Sequence, residues 1–408
     1  MAIATDDLVR LRSGLPPHDR VLLKEMTLGK ELWLGPMYEH LLENFIFEGG
    51  SKVKVLVGDQ GTGKTHLLRH VEADARDLGY ETVFISLRDA NWRLSDIVSL
   101  YTTIADQIDR EAIVRGLCRR VASALGYGSD EYDGSVPLFP LLIEKGGLTK
   151  DVARRELVSG VSRALASSEG DEQESDLSPS FLAFAYTMIA SRMMEGKTEI
   201  DEICWKWFSG EKLEPHERVR GLYDRLTKPT GRVWIYSLIN LIRLSGRSGL
   251  VLLLDDMEAL TERDPATNRY RYTPNAAKDT YELVRQLIDD AGLLQHLMVM
   301  MAGRTAIIED ERRGLKSYTA LWMRLQTGLV SKESFNPFAD MVDADRHLRK
   351  AGADGFADSV AKHLRSVLSA HGVHVRFRDI PTLESSSPLR RMVMETALMT
   401  EMEGVSNG

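Results

Sequence analysis

Apolar residues along the first 110 positions recur with periods that predict alternating strands and helices. Lys52–Val57 becomes continuously apolar and predicts a short strand that enters a glycine-rich turn. From Thr65 to Leu78 the apolar residues recur at helical spacing, and Gly79 ends that pattern. A β-rich run at Thr82–Leu87 and a helical pattern from Ile97 to Ile108 follow. This alternation is typical of a parallel sheet whose strands are joined by crossover helices.

The same alternation returns after residue 230. A helix from Val233, a strand at Leu250–Leu254, a helix over about Asn275–Ala291 and a strand at Leu297–Ala302 are predicted. The patterns in between are mainly helical, and an acidic run at 167–176 with five carboxylates predicts a solvated loop. We therefore divide the chain into an N-terminal helical lead-in (1–50), an α/β core (51–109 and 231–334), a helical insertion (110–230) and a helical, lid-like C-terminal region (335–408).

Length, charge and cysteine content narrow the class of protein. A chain of 408 residues suits two or three packed units, and no apolar run approaches the ~18 residues of a membrane span. The two cysteines, Cys118 and Cys204, lack metal-ligand spacing, and we expect buried packing residues of a reducing cytoplasm. The net charge of −8 argues against a dedicated nucleic-acid-binding protein but leaves a local basic stripe open.

The strongest chemical signal is the segment 58–65, which matches the phosphate-binding pattern G-x(4)-G-K-S/T between a predicted strand and a predicted helix. Glycines let the backbone wrap phosphates closely, and the start of the following helix adds partial positive charge. Lys64 would reach the β- and γ-phosphates, and the Thr65 hydroxyl would bind Mg²⁺. The candidate nucleotide-binding residues are Gly58, Asp59, Gln60, Gly61, Thr62, Gly63, Lys64, Thr65 and His66.

The second signal is a carboxylate pair directly after the apolar strand Leu250–Leu254. Ligands of open parallel sheets bind beyond the carboxyl ends of the strands. Asp255 would therefore hold Mg²⁺, through water, together with Thr65. Either Asp256 or Glu258 would polarise the attacking water, and we favour Asp256. ATPases of the AAA+ class usually have glutamate at this point, so the shorter Asp256 predicts slower hydrolysis or a closer approach.

Arginines supply the remaining candidates. Arg304 or Thr305, at the tip of the Leu297–Ala302 strand, would sense the γ-phosphate, the alternative being a solvent-facing turn. Arg324 could serve a neighbouring subunit's phosphate or be structural, and the pair Arg390–Arg391 is a weaker candidate. The ligand expected is ATP with Mg²⁺. The sequence does not separate ATP from GTP, because it lacks an Asn-Lys-x-Asp guanine-reading motif and adenine is usually read by backbone groups.

With these motifs, the chain resembles the ATP-binding proteins of bacterial BREX phage-defence systems, the BrxC/BrxD-like P-loop ATPases, and its length is similar to that of BrxD-like members. The resemblance is weakest in the insertion and over the last 50 residues. It is densest over 231–325 and rests on the helix Trp234–Leu244, Gly249, Asp255–Asp256, the helix with Leu283 and Arg285–Asp289, Ala302–Gly303, Gly314, Ser317, Tyr318, Leu321–Leu325 and, near the start, Arg12, Gly14 and Pro16.

The resemblance implies an AAA+-like core, related to origin-recognition and STAND proteins, that works in a multiprotein anti-phage complex beside a helicase or methyltransferase. Asp256 and Arg304–Thr305 depart from the family's usual Glu and Thr-Pro-like residues, which puts the rate of hydrolysis in question. We expect a cytoplasmic, Mg²⁺-dependent regulatory ATPase whose nucleotide state controls assembly or DNA engagement, with self-association open and no membrane partner. The alternatives are an origin-recognition-like DNA loader, a STAND-like signalling switch and a nucleotide-gated scaffold with little turnover.

Overall fold

A five-stranded, all-parallel sheet forms the centre of the protein. The computed structural model describes residues 3–59, 61–89, 94–166, 177–218, 221–325, 338–344, 353–376 and 401–403. The strands are β1 (Ser51–Val57), β2 (Glu81–Ser86), β3 (Leu250–Asp255), β4 (Leu297–Gly303) and β5 (Met341–Asp343), and they lie side by side in the order β2-β3-β4-β1-β5. The predicted α/β class with a parallel sheet is confirmed. Because all five strands run the same way, the loops after β1, β2, β3 and β4 meet at one edge of the sheet.

Helices account for most of the remaining described chain. They are α1 (Thr5–Arg12), α2 (Arg20–Met26), α3 (Lys30–Met37), α4 (Lys64–Asp77), α5 (Ile97–Gln107), α6 (Arg110–Ala124), α7 (Phe139–Glu144), α8 (Lys150–Ala166), α9 (Pro179–Met194), α10 (Glu199–Phe208), α11 (Gly231–Leu244), α12 (Pro274–Asp289), α13 (Ala306–Glu309), α14 (Thr319–Leu325) and α15 (Ala353–Ala370). A π-helical stretch at Tyr38–Phe45 and 3₁₀ turns at Met257–Leu260 and Leu315–Ser317 complete the set. Among the helices within these ranges, none is both long enough and apolar enough to span a membrane.

Both faces of the sheet are buried, which explains why β3 has a continuous apolar sequence rather than an alternating one. Val251 and Leu253 pack with α3, α4 and the π-helical stretch on one face. Leu250, Leu252 and Leu254 pack on the other face with residues of α5, α11 and α12. Successive side chains of a strand point to opposite faces, so one strand contributes to both cores. The result is a three-layer α/β/α core.

The helices α6–α10 extend the second core instead of forming a separate one. An aromatic cluster makes this connection. The ring centroid of Trp234 in α11 lies 5.1 Å from that of Tyr101 in α5, in an edge-on contact, and 4.6 Å from that of Trp207 in α10. Phe181 of α9 lies 5.4 Å from the same indole. Aromatic pairs at these separations add to the stability that their burial supplies. The helical segment is thereby packed against the sheet-bearing part of the chain.

The region after residue 335 differs from the helical prediction. Although α15 is a helix, Met341–Asp343 forms β5 and pairs with β1, and His374–Arg376 (β6) pairs antiparallel with Glu401–Glu403 (β7). Each of these strands has three residues, which is too short for a period of two to be recognised in the sequence. Pairing with a strand remote in sequence therefore decides their conformation.

A buried lysine holds the segment that leads into β5. Lys54 of β1 is fully buried and donates from Nζ to the carbonyl oxygen of Ala339. Two residues earlier on the same strand, Lys52 forms an ion pair with Asp340. Burial, followed by repulsion from Lys52, lowers the pKa of Lys54 to about 7. The edge strand is therefore held by a lysine whose charged form is disfavoured by burial.

This arrangement predicts a pH-dependent stability. In the unfolded chain Lys54 keeps its ordinary pKa of 10.5, so below pH 7 it is protonated in both states and its burial destabilises the fold fully. As the pH rises from about 7 to about 10, that penalty decreases by ~1.4 kcal/mol per pH unit. In urea unfolding, the free energy of unfolding of wild type should therefore rise relative to that of Lys54→Met across this pH range. The exposed Lys278→Met controls for removal of a lysine, and a Lys54→Met difference that does not change with pH would contradict the prediction.

Candidate functional site

The glycine-rich loop between β1 and α4 presents an uncapped helix end. Gly61 and Gly63 adopt left-handed backbone conformations, with φ of 86° and 83°. Among the described residues, no side chain caps the first turn of α4, and none comes within 4 Å of a Cβ added at Gly63. Open space therefore lies in front of backbone N–H groups and the positive end of a helix, an arrangement that favours phosphate. Gln60 lies outside the described residues.

Lys64 folds back over this loop. Its Nζ donates to the carbonyl oxygens of Gly58 at 2.9 Å and Asp59 at 2.7 Å. Thr62 also donates from its hydroxyl to the Asp59 carbonyl oxygen, at 2.9 Å. The loop is thus closed by its own cation, which lies beside the space in front of α4. An anionic ligand in that space would compete with the two carbonyl oxygens for the ammonium group.

The two predicted metal ligands are in direct contact. The Thr65 hydroxyl donates to Oδ2 of Asp255 at 2.6 Å, although the two residues are 190 positions apart. Asp255 is 5% exposed; burial first, and then repulsion from Asp256, raise its pKa to about 6. Within the described ranges no group of three His, Cys, Asp or Glu side chains could hold a metal ion. The pair nevertheless fits Mg²⁺, which usually takes most of its ligands from phosphate and water.

Asp256 points toward the opposite side of β3. Its backbone is left-handed, with φ of 60°, which is uncommon for a residue other than glycine. The Ser86 hydroxyl at the end of β2 donates to Oδ2 of Asp256 at 2.6 Å, and Arg88 Nε lies 3.0 Å from Oδ1. Asp255 therefore contacts the first turn of α4, which follows β1, whereas Asp256 contacts the end of β2 and the loop after it.

Glu258 lies between two arginines. Its side chain is 7% exposed, and Oε1 is 2.9 Å from Arg88 Nη2 and 3.2 Å from Arg304 Nε. Its Oε2 accepts the backbone N–H of Arg304 at 3.1 Å. Both arginines also bind Glu262, each at 2.9 Å. Arg304, which we predicted to sense the γ-phosphate, is therefore paired with carboxylates in this structure.

The residues just described form one cluster: Ser86, Arg88, Asp256, Glu258, Glu262 and Arg304. The other predicted residues lie apart from this cluster. His66 Nε2 is 2.8 Å from Thr27 Oγ1 at the end of α2, and burial lowers the pKa of His66 to about 4. The imidazole is therefore neutral at pH 7 and links α4 to α2. Arg324 forms an ion pair with Asp289 of α12, which supports its structural alternative. Arg390 and Arg391 lie outside the described residues.

Besides Glu262, sequence reasoning missed two members of the cluster, Ser86 and Arg88. Both lie at the carboxyl end of β2, and β2 neighbours β3, where Ser86 aligns with Asp255. The rule that we applied to β3 and β4, that polar residues beyond the carboxyl ends of parallel strands face the ligand, would have identified them.

The sheet, the open glycine loop and the joined Thr65–Asp255 pair define an α/β protein suited to a phosphate-bearing ligand. A family model described as BREX system ATP-binding protein BrxC/D matches residues 6–119 and 152–375. Because this match covers most of the chain, the protein belongs to that family, and membership implies an ATP-binding component of BREX defence. The match includes helices α8–α10, where the sequence was less distinctive to us. No curated protein and no solved structure matches the chain.

The cluster predicts unequal effects for its two outer glutamates. Glu258→Ala should lower the free energy of unfolding by about 2–3 kcal/mol, because it leaves Arg88 and Arg304 without their shared buried partner. Glu262 contacts the same arginines from a more exposed position, its side chain being 24% exposed. Glu262→Ala should therefore cost about 1 kcal/mol or less. Denaturant unfolding of both variants tests this, and equal losses would contradict the central place given to Glu258.

Proposed function

We propose that this protein binds Mg²⁺·ATP at the Gly58–Thr65 loop and hydrolyses it, as an AAA+-like P-loop ATPase of a BREX system. The hydrogen bond between Thr65 and Asp255 carries the proposal, because it joins the two predicted metal ligands at the carboxyl edge of the sheet. Family membership supports ATP as the nucleotide. Closeness to the BrxD-like members remains an inference from chain length.

The residues of the loop supply binding and orientation. The backbone N–H groups at the start of α4 would hold the β- and γ-phosphates, and Lys64 would move from the Gly58 and Asp59 carbonyl oxygens onto them. Thr65 and Asp255 would hold Mg²⁺, which when bound offsets the negative charge of the phosphates. Asp255 must be deprotonated for this role, so its raised pKa predicts weaker metal binding below about pH 6.

Exposure favours Asp256 over Glu258 as the group that accepts the proton of the attacking water. The Asp256 side chain is 28% exposed, whereas that of Glu258 is 7% exposed and contacts two arginines. A general base must come within hydrogen-bond reach of the water, directly or through one further water. Glu258 is instead suited to position Arg88 and Arg304.

The strand order supports a role for Arg304 in reporting the state of the nucleotide. β4 lies between β1 and β3, so its carboxyl end faces the gap between the loop and the acidic residues. The backbone N–H of Gly58 also bonds to the carbonyl oxygen of Gly303, at 3.3 Å, which ties the loop to the tip of β4. An arginine at this tip could exchange Glu258 and Glu262 for a γ-phosphate. Such an exchange would connect the ligand to the rest of the chain.

We further propose that nucleotide state controls assembly with other defence proteins, of helicase or methyltransferase type, or engagement of DNA. A nucleotide-gated scaffold with little turnover is the second candidate. The observation that favours it is that Asp256, Glu258 and Glu262 are all paired with arginines, Arg88 or Arg304. These carboxylates are therefore engaged in ion pairs instead of being directed toward the nucleotide. Steady-state phosphate release by wild type no higher than that of Lys64→Ala would select the scaffold.

Binding and turnover should separate when single residues of the site are changed. Lys64→Ala should weaken ATP binding at least tenfold, because it removes the cation that faces the phosphates. Asp256→Ala should keep ATP affinity within about threefold but lower turnover by a factor of about 10²–10⁴. Turnover of Glu258→Ala, measured in the same assay, then shows which of the two carboxylates is the base. Isothermal titration and phosphate release are the measurements.

Two exposed residues of α12 offer matched controls, Lys278→Ala for the lysine and Asp279→Ala for the aspartate. Neither should change binding or turnover by more than about twofold. Undiminished ATP binding by Lys64→Ala would contradict the proposed site. Loss of turnover in Glu258→Ala but not in Asp256→Ala would reverse the assignment of the base.

A further inference from the structure

The end of α2 is bonded to the helix that follows the glycine-rich loop. Thr27, the residue that ends α2, is 5% exposed, and its Oγ1 lies 2.8 Å from Nε2 of His66 and 2.8 Å from Nδ1 of His70. The two histidines are four residues apart on α4 and therefore share one face of that helix. One buried hydroxyl group thus meets two imidazole rings of α4.

The direction of these hydrogen bonds follows from a third contact of the same hydroxyl group. Its single hydrogen is donated to the carbonyl oxygen of Leu23 at 2.8 Å, because a carbonyl oxygen can only accept. The Thr27 oxygen therefore accepts from both rings, which places a hydrogen on Nε2 of His66 and on Nδ1 of His70. The hydroxyl group donates once and accepts twice, which uses its full hydrogen-bonding capacity.

The first turn of α4 is therefore held from two directions. Thr65 bonds to Asp255 at the end of β3, and the next residue, His66, bonds to Thr27 at the end of α2. Because Thr65 and His66 are consecutive residues of one helix, a displacement of one moves the other. The position of a predicted metal ligand thus depends on a hydroxyl group of the N-terminal lead-in.

We infer that Thr27 is a positioning residue that sets the place of Thr65 for Mg²⁺ by holding the two histidines of α4. The inference rests on the proposed function and extends that site into the lead-in. Mg²⁺ requires near-ideal octahedral geometry with ligand distances of about 2.0–2.1 Å, whereas hydrogen bonds to phosphate oxygens tolerate a wider range of distance and angle. A small displacement of the first turn of α4 should therefore weaken metal binding more than phosphate binding.

Replacement of the hydroxyl group by a methyl group of similar size gives the central test. In Thr27→Val the two ring N–H groups face a methyl group, and since buried donors without an acceptor are costly, the first turn of α4 should shift. The Mg²⁺-dependent gain in ATP affinity should fall about tenfold or more, while the affinity for metal-free ATP stays within about threefold. Thr27→Ser, which keeps the hydroxyl group, should retain most of that gain. Isothermal titration of ATP with and without Mg²⁺ measures both affinities.

Thr280→Val is the matched control. Thr280 is 1% exposed and its hydroxyl donates to the carbonyl oxygen of Leu94 at 2.6 Å, but it lies on α12, on the opposite face of the sheet from α4. The control therefore makes the same change at a similarly buried place, and its Mg²⁺-dependent gain should stay within about twofold of wild type. If Thr27→Val does not fold, His66→Phe removes the donor from the α4 side of the same contact, and the same result is expected.

The results separate this inference from the proposed function. A loss confined to the Mg²⁺-dependent gain in Thr27→Val, and absent from Thr27→Ser and Thr280→Val, supports the positioning role. A folded Thr27→Val variant that keeps the full gain overturns it. An equal loss with and without Mg²⁺, or an equal loss in Thr27→Ser or Thr280→Val, also overturns it, because the effect would then not come from the hydroxyl group acting on the metal site. Wild type without any Mg²⁺-dependent gain, or ATP binding that does not depend on Lys64, would instead refute the proposed function.

Discussion

The hydrogen bond from Thr65 to Asp255 is the contact on which the organisation of the site depends. It joins the first turn of α4 to the end of β3, although β4 lies between β1 and β3 in the sheet. Because parallel strands bring their carboxyl ends to one edge, residues 190 positions apart meet there. Burial raises the pKa of Asp255 to about 6, so a bound cation beside this carboxylate would stabilise its charged form.

Charge is divided across β3 in a way that fits two separate tasks. On the side of β1, Asp255 and Thr65 offer oxygen atoms beside an uncapped helix end, which suits a metal–phosphate ligand. On the side of β2, Asp256 is occupied by Ser86 and Arg88, and the neighbouring glutamates are occupied by Arg88 and Arg304. Binding groups are thus assembled while the group favoured for catalysis is engaged elsewhere. This division fits the proposal of a nucleotide-binding loop combined with hydrolysis that is slower, or needs a closer approach, because Asp256 is shorter than glutamate.

Much of the fold could be predicted from sequence, because buried strands are continuous apolar runs, helices repeat apolar residues at helical spacing, and glycine-rich turns separate them. The β3 strand and the 58–65 loop show this: one is buried on both faces, and the other requires left-handed glycines. β5 was missed because its three residues carry no period and their pairing partner is remote. In the site, Lys64 and Thr65 belong to a motif with fixed spacing, and Asp255 directly follows a recognisable apolar strand. The arginine pairing was not predictable, since ion pairs between loops depend on side-chain directions that only the folded chain fixes.

The most direct test of the account is the energetic coupling between Thr65 and Asp255 in Mg²⁺·ATP binding. Isothermal titration of wild type, Thr65→Ala, Asp255→Ala and the double variant, with and without Mg²⁺, gives a double-mutant cycle. A shared metal site predicts that each single variant loses most of the Mg²⁺-dependent affinity. The double variant should then lose little more, with a coupling of about 1 kcal/mol or greater. Additive losses, or single variants that bind Mg²⁺·ATP as wild type does, would contradict the central claim.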